Sequence, residues 1–184
     1  IAANSSSSMM ASPRLPEQYF CVDVEAVATG RGHGTSDRSP CCVVVMDKDK
    51  RVLLKKTIKV DKPIVSYLTP LTGIGPGDVR DAHSTYDQVV REVKALLGRD
   101  AVLVGQSVKC DIQWMKLEQG TDFASTVELG DMFETYNPRY RNYSRFSLAH
   151  EANVLLTTGM YVRNNVRASA RMYSLLAVLY MYFY

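Results

Sequence analysis

Two acidic residues at the end of a predicted strand have the clearest potential for chemistry in this sequence. Asp23 and Glu25 close the segment Tyr-Phe-Cys-Val-Asp-Val-Glu at residues 19–25, with a single valine between them. Side chains two residues apart on a strand point to the same face, about 7 Å apart along the backbone. Two like charges at the edge of an apolar core are costly unless a cation lies between them. The pair therefore predicts half of a divalent-metal site.

A third acid, Asp111, follows a short and wholly apolar segment. Residues 101–104 read Ala-Val-Leu-Val, as expected for a central parallel strand, and Asp111 begins a helix predicted over 111–118. Ligand sites of open α/β sheets lie at the carboxyl ends of such strands. If the first strand lies beside this one, Asp23, Glu25 and Asp111 come together. Simpler explanations stay open: a solvent-facing strand end for the pair, and helix capping for Asp111 alone.

The elements that must position these acids follow from the spacing of apolar residues and from Gly- and Pro-rich breaks. Strands are predicted over residues 19–24, 41–46, 52–60, 101–104 and 127–129, and helices over 85–97, 111–118, 147–156 and 164–182. Three strands followed by alternating helices and strands predict an α/β fold, with a mixed five-stranded sheet flanked by helices. We expect residues 1–16, which are rich in Ser, to be a disordered lead or a cloning remnant. Residues 17–184 are then a single domain that ends in an apolar helix.

Composition narrows the class of protein. The 184 residues are 46% hydrophobic and 22% charged, which is ordinary for one globular domain. No segment reaches the roughly 18 apolar residues that a membrane-spanning helix needs. The four cysteines have neither metal-site nor secreted-scaffold spacing, which favours free thiols in a reducing compartment. We therefore expect a cytoplasmic or nuclear protein with no membrane partner.

Several short motifs, in the same order along the chain, resemble the DEDDh group of 3′–5′ exonucleases on the ribonuclease H-like fold. The sequence is most similar to the eukaryotic RNA-exonuclease branch that includes the interferon-stimulated exonuclease, over roughly residues 19–173. The motifs that carry the resemblance are Val-Asp-Val-Glu at 22–25, the segments at 64–67 and 71–74 leading to Val79, Leu-Val-Gly at 103–105 with Asp111, Phe-Ser-Leu at 146–148, and Ser-Ala-Arg-Met-Tyr at 169–173. Each motif alone is weak, whereas the collinear series is strong.

The resemblance implies a site for two divalent ions, Mg²⁺ or Mn²⁺, in which Asp23, Glu25 and Asp111 are both catalytic residues and metal ligands. A third motif of the family supplies a His base and one more Asp. Alignment on residues 169–173 places Met160 at the His position and Asn165 at the Asp position. Asn is a poorer Mg²⁺ ligand than Asp, and Met has no proton to exchange. Gln106 also replaces a His that is common after the Val-Gly of the second motif.

These departures predict a degenerate exonuclease site, in which catalysis is impaired or absent and the metal is either retained or lost. Losing a general base alone typically lowers the rate by about 10²–10⁴. If no metal binds, Arg163 or Arg167, which flank Asn165, is a candidate to neutralise the remaining acids. His150 is the only histidine near the third motif, and we expect it to be a surface or packed helix residue.

Arginines and tyrosines are interleaved between residues 137 and 171. Arginines that bind phosphates and aromatic rings that stack on unpaired bases are typical of single-stranded nucleic-acid grooves. The candidates for binding single-stranded RNA or another nucleic acid are Arg139, Tyr140, Arg141, Arg145, Arg163 and Arg167. A solvated basic face explains the composition equally well, and the resemblance favours nucleic acid.

The end of the chain predicts a different kind of contact. Residues 173–184 form a helix that is apolar on nearly all sides, which predicts a homodimer or a protein partner, or else a core helix followed by a disordered tail. Three functions therefore stay open. The first is an RNA- or partner-binding pseudoenzyme, the second an active metal-dependent 3′–5′ exoribonuclease, and the third a protein-interaction module on a vestigial exonuclease fold.

Overall fold

The computed structural model describes residues 18–155 of the chain. Some of the sequence-based predictions concern residues outside this range and stay predictions. They are the lead over 1–16, the domain boundary at 17, the third-motif positions Met160 and Asn165, the arginines Arg163 and Arg167, and the apolar helix over 173–184.

A five-stranded sheet forms the centre of the fold. Its strands are β1 (Tyr19–Ala28), β2 (Arg38–Asp47), β3 (Val52–Thr57), β4 (Val102–Gly105) and β5 (Ser125–Glu128). The strand order is β3-β2-β1-β4-β5, with β1, β2 and β3 antiparallel and β4 and β5 parallel to β1. The predicted mixed five-stranded sheet is therefore confirmed, and β1 lies beside β4 as the meeting of the acids required.

Short and long helices connect and cover these strands. They are α1 (Thr69–Thr72), α2 (Pro76–Arg80), α3 (Tyr86–Leu96), α4 (Val108–Trp114), α5 (Leu129–Met132) and α6 (Leu148–Leu155), and a 3₁₀ turn spans Thr35–Asp37. α3 begins where predicted because the Thr85 hydroxyl accepts the backbone N–H of Gln88, an N-cap. Its residues Val89, Val90 and Val93 are buried against one face of the sheet. That face is therefore closed to ligands.

Several predicted boundaries are wrong. β1 extends to Ala28 instead of residue 24, β2 spans Arg38–Asp47 instead of 41–46, and β5 spans Ser125–Glu128 instead of 127–129. α4 spans Val108–Trp114 instead of residues 111–118, because the carboxylate that caps its N-terminus comes from β5 and not from the helix itself. β3 ends at Thr57 instead of residue 60, and Ile58 makes only an isolated bridge to Ser84.

A two-stranded hairpin in the basic and aromatic region was not predicted. β6 (Glu134–Asn137) pairs antiparallel with β7 (Asn142–Arg145), outside the five-stranded sheet. The alternating polar and tyrosine residues of these strands lack the apolar face that identifies a core strand. The hairpin stands between α5 and α6 in the chain, and it carries three of the predicted nucleic-acid-binding arginines.

The cysteines are free, and three of the four are buried, as predicted. Burial raises the pKa of Cys41 to about 12 and that of Cys42 to about 11, so both remain unreactive thiols. Cys110 on α4 is exposed. Among residues 18–155, no helix is long and apolar enough to cross a membrane.

Candidate active site

Asp23 and Glu25 lie on the face of β1 opposite to α3. Val22 and Val24 are buried on the α3 side, so the alternation of a strand turns the two acids to the other side. Glu25 is only 4% exposed, which excludes a solvent-facing strand end for this residue. A β-bulge follows Glu25, where Cys41 is the extra residue of β2. Bulges bend a strand and re-aim its side chains, and they are over-represented beside active sites.

Asp111 reaches β1 from the first turn of α4 and contacts the strand between the two acids. Its Oδ1 accepts a hydrogen bond from the backbone N–H of Val24 at 2.8 Å. The side chain is buried, and burial raises the pKa of Asp111 well above its usual range, with the negative charge of Asp23 adding to the rise. The structure thus places Asp111 against the segment of β1 that carries Asp23 and Glu25, and we call these three residues the acid cluster.

Glu128 is a fourth acid near this site that the sequence analysis missed. Its carboxylate accepts the backbone N–H groups of Ser107 at 2.7 Å and Val108 at 3.0 Å, and so caps α4 from the end of β5. Ser107 has a left-handed backbone (φ 61°) and forms no side-chain cap of its own. The charge of Glu128 also contributes to the raised pKa of Asp111. The available signal was its position at the carboxyl end of β5, in register with Gly105 of β4.

Gln106 joins the loop before α4 to the start of α6. Its Nε2 donates to the carbonyl of Phe146 at 2.8 Å and to Glu151 Oε1 at 3.1 Å, and its Oε1 accepts the N–H of Leu148 at 2.9 Å. Three hydrogen bonds from one side chain fix the relative position of two segments that are 40 to 45 residues apart in sequence. The residue that departs from the family pattern therefore has a structural role here.

Glu151 is a buried acid in this network. It is 3% exposed, and its Oε2 has no hydrogen-bond partner among the described residues. Burial, together with the charge of Glu128, raises the pKa of Glu151 to about 7. The negative charges of Glu128 and Glu151 thus act on the same region of the fold as the acid cluster.

The acid cluster suits a hard divalent cation by ligand type, because Mg²⁺ and Mn²⁺ prefer carboxylate oxygens. A bound cation would also oppose the burial and repulsion that raise the pKa of Asp111. Within residues 18–155, no three His, Cys, Asp or Glu side chains already stand close enough to hold an ion between them. The three acids therefore suit a divalent cation by their oxygen ligands and their negative charge, and not by a preformed coordination geometry.

The predicted nucleic-acid-binding residues of the described region lie on the hairpin. Arg139, Tyr140 and Arg141 are exposed in its turn, with the Arg139 guanidinium 5.4 Å from the centre of the Tyr140 ring. Arg145 on β7 forms an ion pair with Asp131 of α5. The hairpin thus presents two arginines that form no salt bridge among residues 18–155, and one that does.

His150 was predicted to be a surface or packed helix residue. It is exposed on α6 and stacks on the ring of Phe146, with the ring centres 4.9 Å apart. Its backbone N–H is capped by the Ser147 hydroxyl at 3.3 Å, as the predicted start of this helix required.

Comparison with known proteins supplies the family. A family model described as an exonuclease of the RNase T type matches residues 21–158, which is most of the chain. The chain belongs to this exonuclease family. The matched range includes all three residues of the acid cluster, together with Gln106 and Glu128.

Curated relatives agree with this assignment. Small RNA degrading nuclease 3 of Arabidopsis thaliana is 26% identical over 114 residues, which cover 61% of this chain and 15% of the relative. Apoptosis-enhancing nuclease of Rattus norvegicus is 28% identical over 155 residues, which cover 84% of this chain and 45% of the relative. The chain therefore spans less than half the length of these relatives.

Solved structures agree in fold. The Pan2 catalytic unit of Neurospora crassa superposes with a TM-score of 0.69 at 15% identity, covering 96% of this chain and 28% of that one. A Pan2 exonuclease module of Saccharomyces cerevisiae, solved in complex with A7 RNA, gives 0.70 at 16% identity and covers 90% and 28%. The chain therefore has the predicted ribonuclease H-like fold.

Proposed function

We propose that this exonuclease domain binds single-stranded RNA and cleaves it weakly or not at all. A contrast within one site carries the proposal. A 2.8 Å hydrogen bond holds Asp111 against the segment of β1 that carries Asp23 and Glu25, whereas the sequence has Met160 and Asn165 where the resemblance implies a His and an Asp. Half of the exonuclease centre is present, and the residues expected for the other half are replaced.

The relatives support RNA as the ligand. Their names include small RNA degrading nucleases and an RNA exonuclease 1 homolog of Homo sapiens. A module with the same fold has been solved with RNA bound. The exposed arginines Arg139 and Arg141 provide charge for phosphates in this chain, and we extend the same role to Arg145, Arg163 and Arg167, with Tyr140 as a stacking residue.

A Mg²⁺ or Mn²⁺ ion, where one binds, would be held by Asp23, Glu25 and Asp111. In nuclease chemistry such an ion lowers the pKa of bound water and offsets charge on the leaving oxygen. The chain's own residues position this site: Val24 holds the Asp111 carboxylate by its N–H, and Glu128 fixes the start of the helix that carries Asp111. These contacts orient the Asp111 carboxylate before any ligand arrives.

The expected loss of activity follows from the two replaced positions. Met160 cannot accept a proton from an attacking water, and a missing general base alone lowers the rate by about 10²–10⁴. Asn165 is neutral, so it also removes one negative charge that would attract a cation. Binding of the RNA backbone does not require either residue, and we therefore expect binding to outlast cleavage.

The proposal is tested by measuring binding and trimming on the same RNA. A 5′-fluorescein single-stranded RNA of 16 nucleotides is titrated with the protein across 50–300 mM salt, and its length is then followed with Mg²⁺ or Mn²⁺ present. We expect salt-dependent binding without rapid shortening. Arg139→Gln with Arg141→Gln should reduce the slope of log K against log salt by about 1.4, at about 0.7 for each phosphate contact on single strands.

Asp23→Asn is the control for cleavage. Any residual shortening that belongs to the acid cluster should disappear in this variant while binding persists, whereas shortening that survives comes from a contaminating nuclease. Rapid trimming by the parent that Asp23→Asn abolishes would show a competent exonuclease and contradict the proposed impairment. Absence of any RNA binding by the parent would contradict the proposal itself.

A further inference from the structure

The hairpin of β6 and β7 has an aromatic face that the proposed acid site does not explain. Tyr136 and Tyr143 are directly opposite each other in the register, so their side chains lie on the same face. Their ring centres are 5.6 Å apart in an edge-to-face arrangement. They are 52% and 63% exposed, and Tyr140 in the turn is 64% exposed. Three large aromatic rings are therefore presented to solvent on twelve residues of chain.

The tyrosine face is the more exposed of the two faces at these positions. On the opposite face Asn137 and Ser144 are half-buried and join their side chains at 3.4 Å. Tyr136 and Tyr143 belong to neither hydrophobic core of the described residues. Ordinary burial does not account for aromatic residues in this position.

The charge of the hairpin favours an anionic occupant. Residues 134–145 contain three arginines and a single acid, Glu134, and Arg145 is already paired with Asp131. Arg139 and Arg141 flank the tyrosines at the turn and form no salt bridge among residues 18–155. Aromatic faces that stack on unpaired bases, beside arginines that bind phosphates, are the chemistry of single-stranded nucleic-acid surfaces. A protein partner of the same patch would need acidic and apolar groups together.

The base of the hairpin is fixed to the loop that leads into the acid cluster. The carbonyl of Phe146, which follows β7, accepts the Gln106 amide, and the N–H of Phe146 donates to Phe133 at 3.1 Å. The Arg145 side chain packs closely against Gly130. A Cβ added to Gly130 would lie only 3.0 Å from Arg145 Cδ. These contacts hold the hairpin in a constant position relative to the β4–α4 loop, five residues before Asp111.

We propose that the tyrosine face of the β6–β7 hairpin is a second RNA-binding surface, on which two unpaired bases stack against Tyr136 and Tyr143 while Arg139 and Arg141 contact the adjacent phosphates. The inference rests on the proposed RNA-binding function and specifies where a longer strand is held. A strand too short to extend beyond the acid cluster does not reach the tyrosines. The affinity of the domain therefore depends on RNA length.

The test compares two lengths of RNA and two kinds of substitution. Fluorescein-labelled single-stranded RNAs of 4 and 16 nucleotides are titrated with the parent, with Tyr136→Ile plus Tyr143→Ile, and with Tyr136→Phe plus Tyr143→Phe. Ile keeps a β-branched cross-strand pair and removes the aromatic face, whereas Phe keeps the face. Stacking on one aromatic residue changes affinity by roughly 5- to 150-fold. We expect the Ile variant to bind the 16-mer at least about 5-fold more weakly than the parent and to bind the 4-mer equally well. The Phe variant should bind both RNAs as the parent does.

The outcomes separate this inference from the function on which it rests. If the parent binds neither RNA, the proposed function fails and the inference fails with it. If the parent binds the 16-mer and the Ile variant binds it equally well, the inference alone is overturned, and the tyrosine face is assigned to a protein partner or to hairpin stability. A thermal melt of each variant accompanies the titrations. Equal melting temperatures show that a loss of affinity comes from the missing rings and not from unfolding.

Discussion

The buried carboxyl of Glu151 predicts that the stability of this domain falls as pH rises. Its pKa is about 7 in the folded chain, against an ordinary value of 4.5, because the side chain is buried and the charge of Glu128 lies nearby. Between these two values the unfolded chain has lost the proton and the folded chain still holds it. Folding therefore becomes less favourable as the pH rises through this range. Above about pH 7 both states are ionised, so the loss of folding free energy remains and no longer changes with pH.

The size of the effect follows from the two pKa values. At 1.36 kcal/mol for each unit of difference, a carboxyl that ionises near 4.5 when unfolded and near 7 when folded loses about 2.5 kcal/mol of folding free energy between pH 5 and pH 8. Glu151→Gln keeps an oxygen to accept the Gln106 amide and removes the charge. The variant should therefore be more stable than the parent by about 3 kcal/mol at pH 8, and by less than about 1 kcal/mol at pH 5.

Urea unfolding at the two pH values measures this difference directly. For a small single domain, the expected gain corresponds to a midpoint about 1 M higher in urea at pH 8. Glu134→Gln on the exposed edge of β6 is the matched control and should differ from the parent equally at both pH values. The reasoning is refuted if Glu151→Gln and the parent also differ by the same amount at pH 5 and pH 8.

Two further predictions concern the contacts that position the site. Asp111→Ala leaves the buried N–H of Val24 without its acceptor and should lower the free energy of unfolding in urea by about 1–3 kcal/mol at pH 8. Asp111→Asn keeps an acceptor and relieves the repulsion from Asp23, so it should cost less than Ala. Equal losses for the two variants would contradict the assigned hydrogen bond. Gln106→Ala removes three hydrogen bonds and should lower the free energy of unfolding by about 2–4 kcal/mol. It should also accelerate amide hydrogen exchange in the hairpin more than in β1 and β2. Unchanged exchange in the hairpin would show that the Gln106 side chain does not fix the hairpin.

The sheet and the acid cluster could be predicted because their signals are local. Apolar runs and turn residues identified the five core strands, and the two-residue spacing of Asp23 and Glu25 placed both on one face. The approach of Asp111 to this pair was predicted only on the condition that the first strand lies beside the apolar parallel strand, and the pairing of β1 with β4 meets that condition. The spacing of the pair needed no knowledge of distant contacts, whereas the approach of Asp111 did.

The parts that were missed depend on contacts between distant residues. α4 begins at Val108 because Glu128, 20 residues later, accepts its N–H. The buried Glu151 and the three-bonded Gln106 meet across 45 residues. The hairpin escaped prediction because β6 and β7 are polar strands that pair with each other and do not contribute an apolar face to the core. The spacing of apolar residues in a sequence indicates which residues are buried. The start of α4, the Gln106–Glu151 contact and the hairpin depend on polar contacts, which that spacing does not indicate.

Restoring the third motif distinguishes a degenerate exonuclease site from a competent one. Met160→His with Asn165→Asp restores the two residues that the family resemblance implies. The control, Asn164→Asp with Met172→His, changes the same residue types elsewhere in the same segment. Shortening of a 5′-labelled 16-nucleotide RNA is measured with Mn²⁺ for the parent and both variants. We predict that the restored variant trims the RNA roughly 10²–10⁴ times faster than the parent, while the control variant stays at the parent's rate. A parent that already trims as fast as the restored variant would contradict the account, and so would a restored variant that binds RNA and still fails to trim it.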